Sequence, residues 1–317
     1  MSPARPPTRS LATRLHGRAT MVRRRAQGRW ATPAILRRRF REFTGGELDP
    51  LQPRTMSEKV FARMYLMDRH NDTSARPLVD KLTVREVIGR VVGDEHLVPL
   101  LWSGDQAEAI PFETVEHPSI LKPTHMTGGV IRIDDGLNVA AARRDARGWL
   151  REDLYWPGRE FQYYRLPRRL MIEGFLSDGI PHGPLDYSVW CFHGRPQLVQ
   201  LRNHTRDINH FVDLDFRQIE VYRPGARDER VPRPARWTDI LEIARALAEP
   251  FEFVRVDCYA VGDHVYVGEL TFTPAGGRLR FASPEHDERI GALWSFDPAA
   301  PVLDVARFPA FRTSAHG

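Results

Sequence analysis

The chain has 317 residues, 42% apolar and 27% charged, the balance of an ordinary soluble globular protein with room for one large or two to three modest domains. No run of about 18 apolar residues is present to span a membrane, and no charged stretch leads into an apolar segment with a small-residue cleavage site, which argues against secretion. Cys191 and Cys258 both sit in apolar, strand-like runs and read as reduced core fillers, not as a disulfide framework or a zinc site, so the expected compartment is the cytoplasm.

The net charge of +5 is unevenly spread. Residues 1–45 hold twelve arginines and a single acid, Glu42, whereas the rest holds 34 basic and 40 acidic side chains. A basic arm on a mildly acidic body is not the footprint of a specific nucleic-acid-binding domain. The arm reads as a solvated tail running into a short helix over 34–43. Docking on anionic lipid at the inner face of the membrane, or an organelle transit segment, are the functional alternatives. Of 46 basic residues, three are lysines: Lys59, Lys81 and Lys122. In so arginine-rich a chain, a lysine is a candidate for work that a broad guanidinium does poorly.

Beyond the break at Asp49–Pro53, Ser57-Glu58-Lys59 opens a helix, and a second helix is predicted over 76–92 from the stripe Leu78, Leu82, Val84, Val87, Ile88 and Val91. That helix would put Lys81 and Arg85 on one face. Strands 120–123 and 130–133 flank Thr124-His125-Met126-Thr127-Gly128-Gly129, a hairpin with a polar tip. A helix over 138–150, a strand over 169–176, strands 186–192 and 197–202, a helix over 237–247 and a last hairpin, 253–259 with 265–272, complete an α+β chain with largely antiparallel sheets.

Alternation in Val254-Arg255-Val256-Asp257-Cys258 sets Arg255 and Asp257 on one face, and in Val267-Gly268-Glu269-Leu270-Thr271 it aligns Glu269 with Thr271. A three-residue turn, Gly262-Asp263-His264, brings all four together, with Asp257 opposite Glu269. A two-residue turn puts Asp257 opposite Gly268 and scatters them. Opposed carboxylates repel unless a cation lies between them, and Mg²⁺ suits such oxygen donors; a surface face paired to arginines is the other reading. Gly128-Gly129 and the hydroxyls of Thr124 and Thr127 can present donors to a phosphate beside Lys122, or can simply make a turn. Glu173, inside an apolar strand, needs a partner: an adenine amino group, or an arginine such as Arg169.

Taken in order, these segments resemble the TupA-like ATP-grasp family, associated with cell-surface polysaccharide and teichuronopeptide biosynthesis. The resemblance rests on Met56-Ser57-Glu58-Lys59, Val79–Arg85, Leu121–His125, Gly158-Arg159-Glu160, Ile172–Leu176, Asp186-Tyr187, Cys191–Gly194, Phe253–Asp257 and Gly268–Pro274. It implies an ATP-grasp fold: a helical region (46–115) after the arm, a small α+β lobe (116–184) carrying the phosphate loop, a large lobe (185–297) carrying the magnesium site, and a tail (298–317). It implies ATP and Mg²⁺ as cofactors, and a carboxylate–amine ligase that releases ADP and phosphate through an acylphosphate. A phosphotransferase acting on a hydroxyl and a non-catalytic nucleotide binder are the alternatives.

By the resemblance, Lys122 and the loop residues His125, Thr127, Gly128 and Gly129 bind phosphates, with Lys81 and Arg85 near the nucleotide. Glu173 would take the adenine amino group, with backbone at Phe175 and Leu176 along the ring edge. Asp257, Glu269 and Thr271 would hold magnesium, and Arg255 would stabilise the transferring phosphoryl group. Arg159, Glu160 and Arg206 are candidate substrate contacts. Ser188, Met126 and Ala275 depart from the expected lysine, small residue and glycine.

Overall fold

The computed structural model describes residues 28–177, 184–203, 208–221 and 231–314. Its first helix, α1 (Thr32–Thr44), is the short helix expected near the end of the basic arm, with Pro33 in the first turn and a left-handed Gly45 after the last. This helix is docked: Leu36 and Phe40 are buried, and Arg39 donates to the carbonyls of Gly158 and Pro157 at 2.8 Å. Just upstream, Arg29 pairs with Asp68 at 2.8 Å. The rest of the arm lies outside the described residues.

Helix α2 (Met56–His70) starts on a reciprocal cap, in which the Glu58 amide donates to the Thr55 hydroxyl and the Thr55 amide to the Glu58 carboxylate. Where the periodicity predicts one helix over 76–92, the chain forms α3 (Arg76–Val79) and α4 (Val84–Val92). The break is at Asp80, which is extended and whose Oδ1 accepts from the amides of Leu82 (2.9 Å) and Thr83 (3.1 Å), a competing local bond that the apolar stripe does not reveal. Lys81 therefore stands in a turn, not on a helix face.

A four-stranded antiparallel sheet follows, formed by β1 (Leu100–Gly104), β2 (Ser119–Pro123), β3 (Ile131–Ile133) and β4 (Leu170–Gly174) in the order β1-β4-β2-β3. Strand β1 has no clean alternation that would mark it in the sequence. Helix α5 (Val139–Trp149), capped by Asn138, buries Ala142 and Ala146 on this sheet with Leu121, Leu170 and Ile172. The one-turn α6 (Tyr155–Gly158) lies between α5 and β4.

The second sheet has six antiparallel strands, β5 (Asp186–Phe192), β6 (Arg195–Arg202), β7 (Asn209–Val212), β8 (Gln218–Ile219), β9 (Phe253–Val261) and β10 (His264–Thr271), in the order β10-β9-β5-β6-β7-β8. One face buries Val189, Cys191, Val254, Val256 and Cys258 against α7 (Trp237–Ala248), so both cysteines are the free core residues expected. The opposite face packs Trp190, Phe192 and Phe253 against α1, α2 and α8 (Pro284–Ala292). Each fully buried aromatic there contributes about 1.5–3 kcal/mol. Further along β5 and β9 this second face turns polar: Trp190 is opposite Arg255, and Ser188 is opposite Asp257.

Candidate active site

The turn between β9 and β10 has two residues, Gly262 and Asp263, the register expected to scatter the acidic cluster. The cluster forms all the same. A β-bulge at Gly268 adds one residue to β10, after which Glu269 pairs with Asp257 and Thr271 with Arg255. The bulge also explains the buried residues of β10, which skip from Val265 and Val267 to Leu270. Without it, Glu269 would point into the apolar core.

Arg255 organises the polar face. Its Nε donates to Asp257 at 2.7 Å, its Nη2 donates to Thr271 at 3.2 Å, and the Thr271 hydroxyl donates to Glu269 at 3.1 Å. Arg255 Nη2 is also 3.6 Å from Glu269. Burial alone lowers the Arg255 guanidinium, but Asp257 more than offsets this and raises it above its ordinary value. Burial likewise raises the Glu269 carboxyl, but Lys81 and then Arg255 outweigh it and hold the group below the usual carboxylate range. Arg202, which no sequence pattern marks, bridges Asp257 (3.3 Å) and Asp186 (3.6 Å) from β6.

The α3–α4 region and the four-stranded sheet supply the remaining cations. Lys81 Nζ donates to the Met126 carbonyl at 2.9 Å and lies 3.8 Å from Glu269. Burial lowers its ammonium against the pull of Glu269. Lys122 pairs with Glu173, diagonally across β2 and β4, and Arg85 pairs with the same carboxylate at 3.0 Å while donating to the Val98 carbonyl. Glu173 is thus held by Lys122 and Arg85. Arg169, the partner considered from the sequence, pairs instead with Asp80 at 3.3 Å.

The hairpin tip divides its residues. Thr127 and Gly128 are exposed, and Gly128 and Gly129 both have left-handed backbone. Thr124 is buried, its hydroxyl donating to Asp80 at 2.9 Å, so it is not part of the tip. His125 is also buried, with Nε2 against the Trp149 carbonyl at 3.2 Å, and burial lowers its imidazole. Phe175 donates its amide to the Pro118 carbonyl and stacks beneath Arg132; Leu176 follows it, half-buried.

Arg159 is not brought to the cluster. Its left-handed backbone carries it under the N-terminal helix, where it donates to Gly28 and Thr32. Its neighbour Glu160 accepts from the Thr273 hydroxyl, two residues beyond Thr271. Arg206 lies outside the described residues. Ser188 is fully buried opposite Asp257, with no hydrogen-bond partner among the described residues for its hydroxyl. Of the three lysines, Lys59 is structural, donating to the Gly291 and Trp294 carbonyls at the end of α8.

Among the described residues, no three His, Cys, Asp or Glu side chains gather as a metal cage. The donor set present is two opposed carboxylates and a hydroxyl, which fits Mg²⁺, an ion commonly held by one or two carboxylates plus substrate phosphates. A separate cavity of about 220 Å³, lined by Arg63, His70, Asp72, Glu252 and residues 296–302, shares no residue with this cluster.

The family profile of TupA-like ATP-grasp proteins matches residues 58–295, three quarters of the chain. No curated protein matches it. Among solved structures, the chain is similar to a RimK-domain ATP-grasp protein from Sphaerobacter thermophilus (15% identity, 70% of each chain covered, TM-score 0.41). It is also similar to the D-cycloserine synthetase DcsG (18% identity, 69% of this chain and 70% of that one, TM-score 0.38). A third is the D-alanine–D-alanine ligase from Bacillus anthracis complexed with ATP (14%, 64% and 56%, TM-score 0.38). The chain spans about half the length of some of these relatives, 44% for an N5-carboxyaminoimidazole ribonucleotide synthetase and 56% for that ligase. With this family match over two antiparallel sheets that meet at Lys81, the chain belongs to the TupA-like ATP-grasp family and has an ATP-grasp fold.

Proposed function

We propose that the protein is an ATP-dependent carboxylate–amine ligase that works through an acylphosphate. The reading is carried by one observation: Asp257 and Glu269 stand opposite each other across β9 and β10, with Arg255 bonded to one and close to the other. Asp257, Glu269 and Thr271 would hold Mg²⁺, which when bound neutralises phosphate oxygens. Lys122 and the loop His125, Thr127, Gly128 and Gly129 bind the phosphates, Lys81 and Arg85 lie near the nucleotide, and Glu173, with the backbone at Phe175 and Leu176, takes the adenine. Lys122 must then leave Glu173 for phosphate, an exchange open to a flexible ammonium. Arg255 offsets charge on the phosphoryl group as the substrate carboxylate attacks it. Closure of the loop excludes water from the acylphosphate until an amine displaces phosphate.

The same reading assigns a small lobe (116–184) and a large lobe (185–297) that grip the nucleotide, a helical region (46–115) before them and a tail (298–317) after. Family membership and the basic arm support work on a cell-surface polysaccharide or peptide polymer, from the cytoplasmic side of the membrane. No helix among the described residues is long and apolar enough to cross a membrane.

The test is nucleotide binding by calorimetry with and without Mg²⁺, on wild type, Lys122→Ala and Glu269→Gln. Magnesium-dependent ATP binding, weakened about tenfold or more by each substitution, is expected. Phosphate release with carboxylate and amine pairs then separates a ligase from a phosphotransferase, which releases none. A folded wild type that binds no ATP sinks the proposal.

A further inference from the structure

Strand β10 ends at Thr271, and the chain then bends over 272–273. Thr273, two residues on, is buried, and its hydroxyl links a half-buried and a buried group from the segment after α6: it donates to Glu160 and accepts from Gln162 Nε2 at 2.6 Å. Glu160 has no ion pair among the described residues. Desolvation raises the carboxyl above its ordinary value, outweighing the Thr273 hydrogen bond and the charges of Arg278 and Arg39. Gln162 is 1% exposed, and its Oε1 has no hydrogen-bond partner among the described residues. The left-handed run Ala275-Gly276-Gly277 passes alongside, where a Cβ on Gly276 would lie 3.7 Å from Glu160 Oε1. Burial raises the Tyr163 phenol, and the charges of Glu160 and then Glu269 add to that rise.

A half-buried carboxylate with no ion pair among the described residues, next to an unused buried amide oxygen, lacks one thing: a positively charged donor. Arginine and lysine are both at hand in this chain, yet among the described residues neither pairs with this carboxylate.

We infer that Glu160, with Gln162 and Thr273, seats a protonated primary amine, so that the acceptor in the ligase reaction is a cationic amine bound as its ammonium. This rests on the ligase reading for its chemistry. The ammonium gives one proton to the Glu160 carboxylate, and the freed lone pair forms the C–N bond at the acyl carbon. The C–O bond to phosphate breaks with its electrons on phosphate, and the second N–H proton leaves to solvent. A carboxylate whose proton affinity is raised by burial is a better base for this step than an exposed one. Thr273 holds the carboxylate two residues beyond Thr271, whose hydroxyl bonds Glu269 and Arg255.

The test uses the full chain with Mg-ADP, 1,4-diaminobutane as the cationic probe and 1,4-butanediol as its uncharged counterpart, read by calorimetry and thermal shift. Wild type is expected to bind the diamine and not the diol. Glu160→Gln, which keeps an acceptor for Thr273, is expected to bind the diamine about tenfold or more weakly while Mg-ADP affinity stays within about twofold. Gln162→Met, which removes the unused oxygen, is expected to weaken it by a smaller factor and serves if Glu160→Gln does not fold. Equal diamine binding by wild type and both variants, or none by wild type, overturns the inference. Diamine binding that depends on Glu160 without any nucleotide binding supports the seat and rejects the ligase reading.

Discussion

Lys81 Nζ lies 3.8 Å from the Glu269 carboxylate and donates to the Met126 carbonyl at 2.9 Å, so one ammonium touches the six-stranded sheet and the hairpin loop of the four-stranded sheet at once. Its backbone amide donates to the Thr124 carbonyl at 3.0 Å, which fixes the turn that presents it. Lys81→Met is expected to lower Mg-ATP affinity about tenfold or more. It is also expected to cost about 1–3 kcal/mol in urea unfolding, because Glu269 and the Met126 carbonyl lose a partner. Unaltered nucleotide affinity would remove Lys81 from the site and leave it as a brace.

Glu269 and Glu160 should respond to acid in opposite senses. An ordinary glutamate titrates near 4.5, and Glu269 is held below that in the folded chain. Its stabilisation is fully present above the unfolded value and is lost as pH falls through the folded one. Glu160 is raised above 4.5, so its contribution is present below the unfolded value and is lost as pH rises through the folded one. Melting temperatures of wild type, Glu269→Gln and Glu160→Gln over about pH 3–8 decide this. The gap between wild type and Glu269→Gln should shrink toward acid pH, while that for Glu160→Gln should move the other way.

Much of this site was legible because the polar residues interrupt otherwise apolar strands: Arg255, Asp257 and Glu173 sit among buried aliphatics and sulfurs. The register was not. A two-residue turn and a one-residue bulge give the same pairing as a three-residue turn, and the sequence alone favours neither. The sign of the bulge is the phase slip in Val265, Val267, Leu270 and Phe272, three residues instead of two between the middle pair. The break at Asp80 escaped for a different reason: a side-chain bond to the backbone overrode a sound helical stripe. Thr273 and Gln162 carry no charge or spacing that would mark them, and only tertiary contact brings them to Glu160.

The bulge itself can be tested. A Cβ at Gly268 would sit 2.8 Å from the Tyr259 ring and 3.4 Å from the Asp257 carbonyl. Gly268→Val is therefore expected to destabilise by about 1–3 kcal/mol in urea unfolding. It should also weaken Mg-dependent nucleotide binding, since Asp257 and Glu269 share that bulge. A variant as stable as wild type would mean that the hairpin pairs in another register.

Lys59 offers a control among the lysines. It is buried, and its two carbonyl contacts, 2.8 Å to Gly291 and 2.6 Å to Trp294, close the end of α8 with no carboxylate involved. Lys59→Met is expected to cost about 2–4 kcal/mol, two charge-assisted bonds and two bared carbonyls. Nucleotide affinity of the folded fraction should hold within about twofold. A large loss of affinity at full folding would contradict the division of the three lysines into one brace and two site residues.

Three consecutive left-handed residues end the site face, and their substitution costs should fall in a fixed order. Ala275 has φ 52 and ψ 19, a conformation that strains an L side chain, so Ala275→Gly is expected to stabilise by about 0.5–1 kcal/mol after the unfolded-state cost of glycine. Gly276→Ala places its Cβ at an ordinary 3.7 Å from Glu160 and should cost about 1–2 kcal/mol, the backbone strain alone. Gly277→Ala would set a Cβ 2.5 Å from the Phe61 ring, in the packed interface with α2, and should cost the most, about 2–4 kcal/mol. Chemical denaturation of the three variants ranks them directly. If Ala275→Gly destabilises, the turn is not left-handed at that residue in solution, and Glu160 then loses the neighbour that forms one side of its corner.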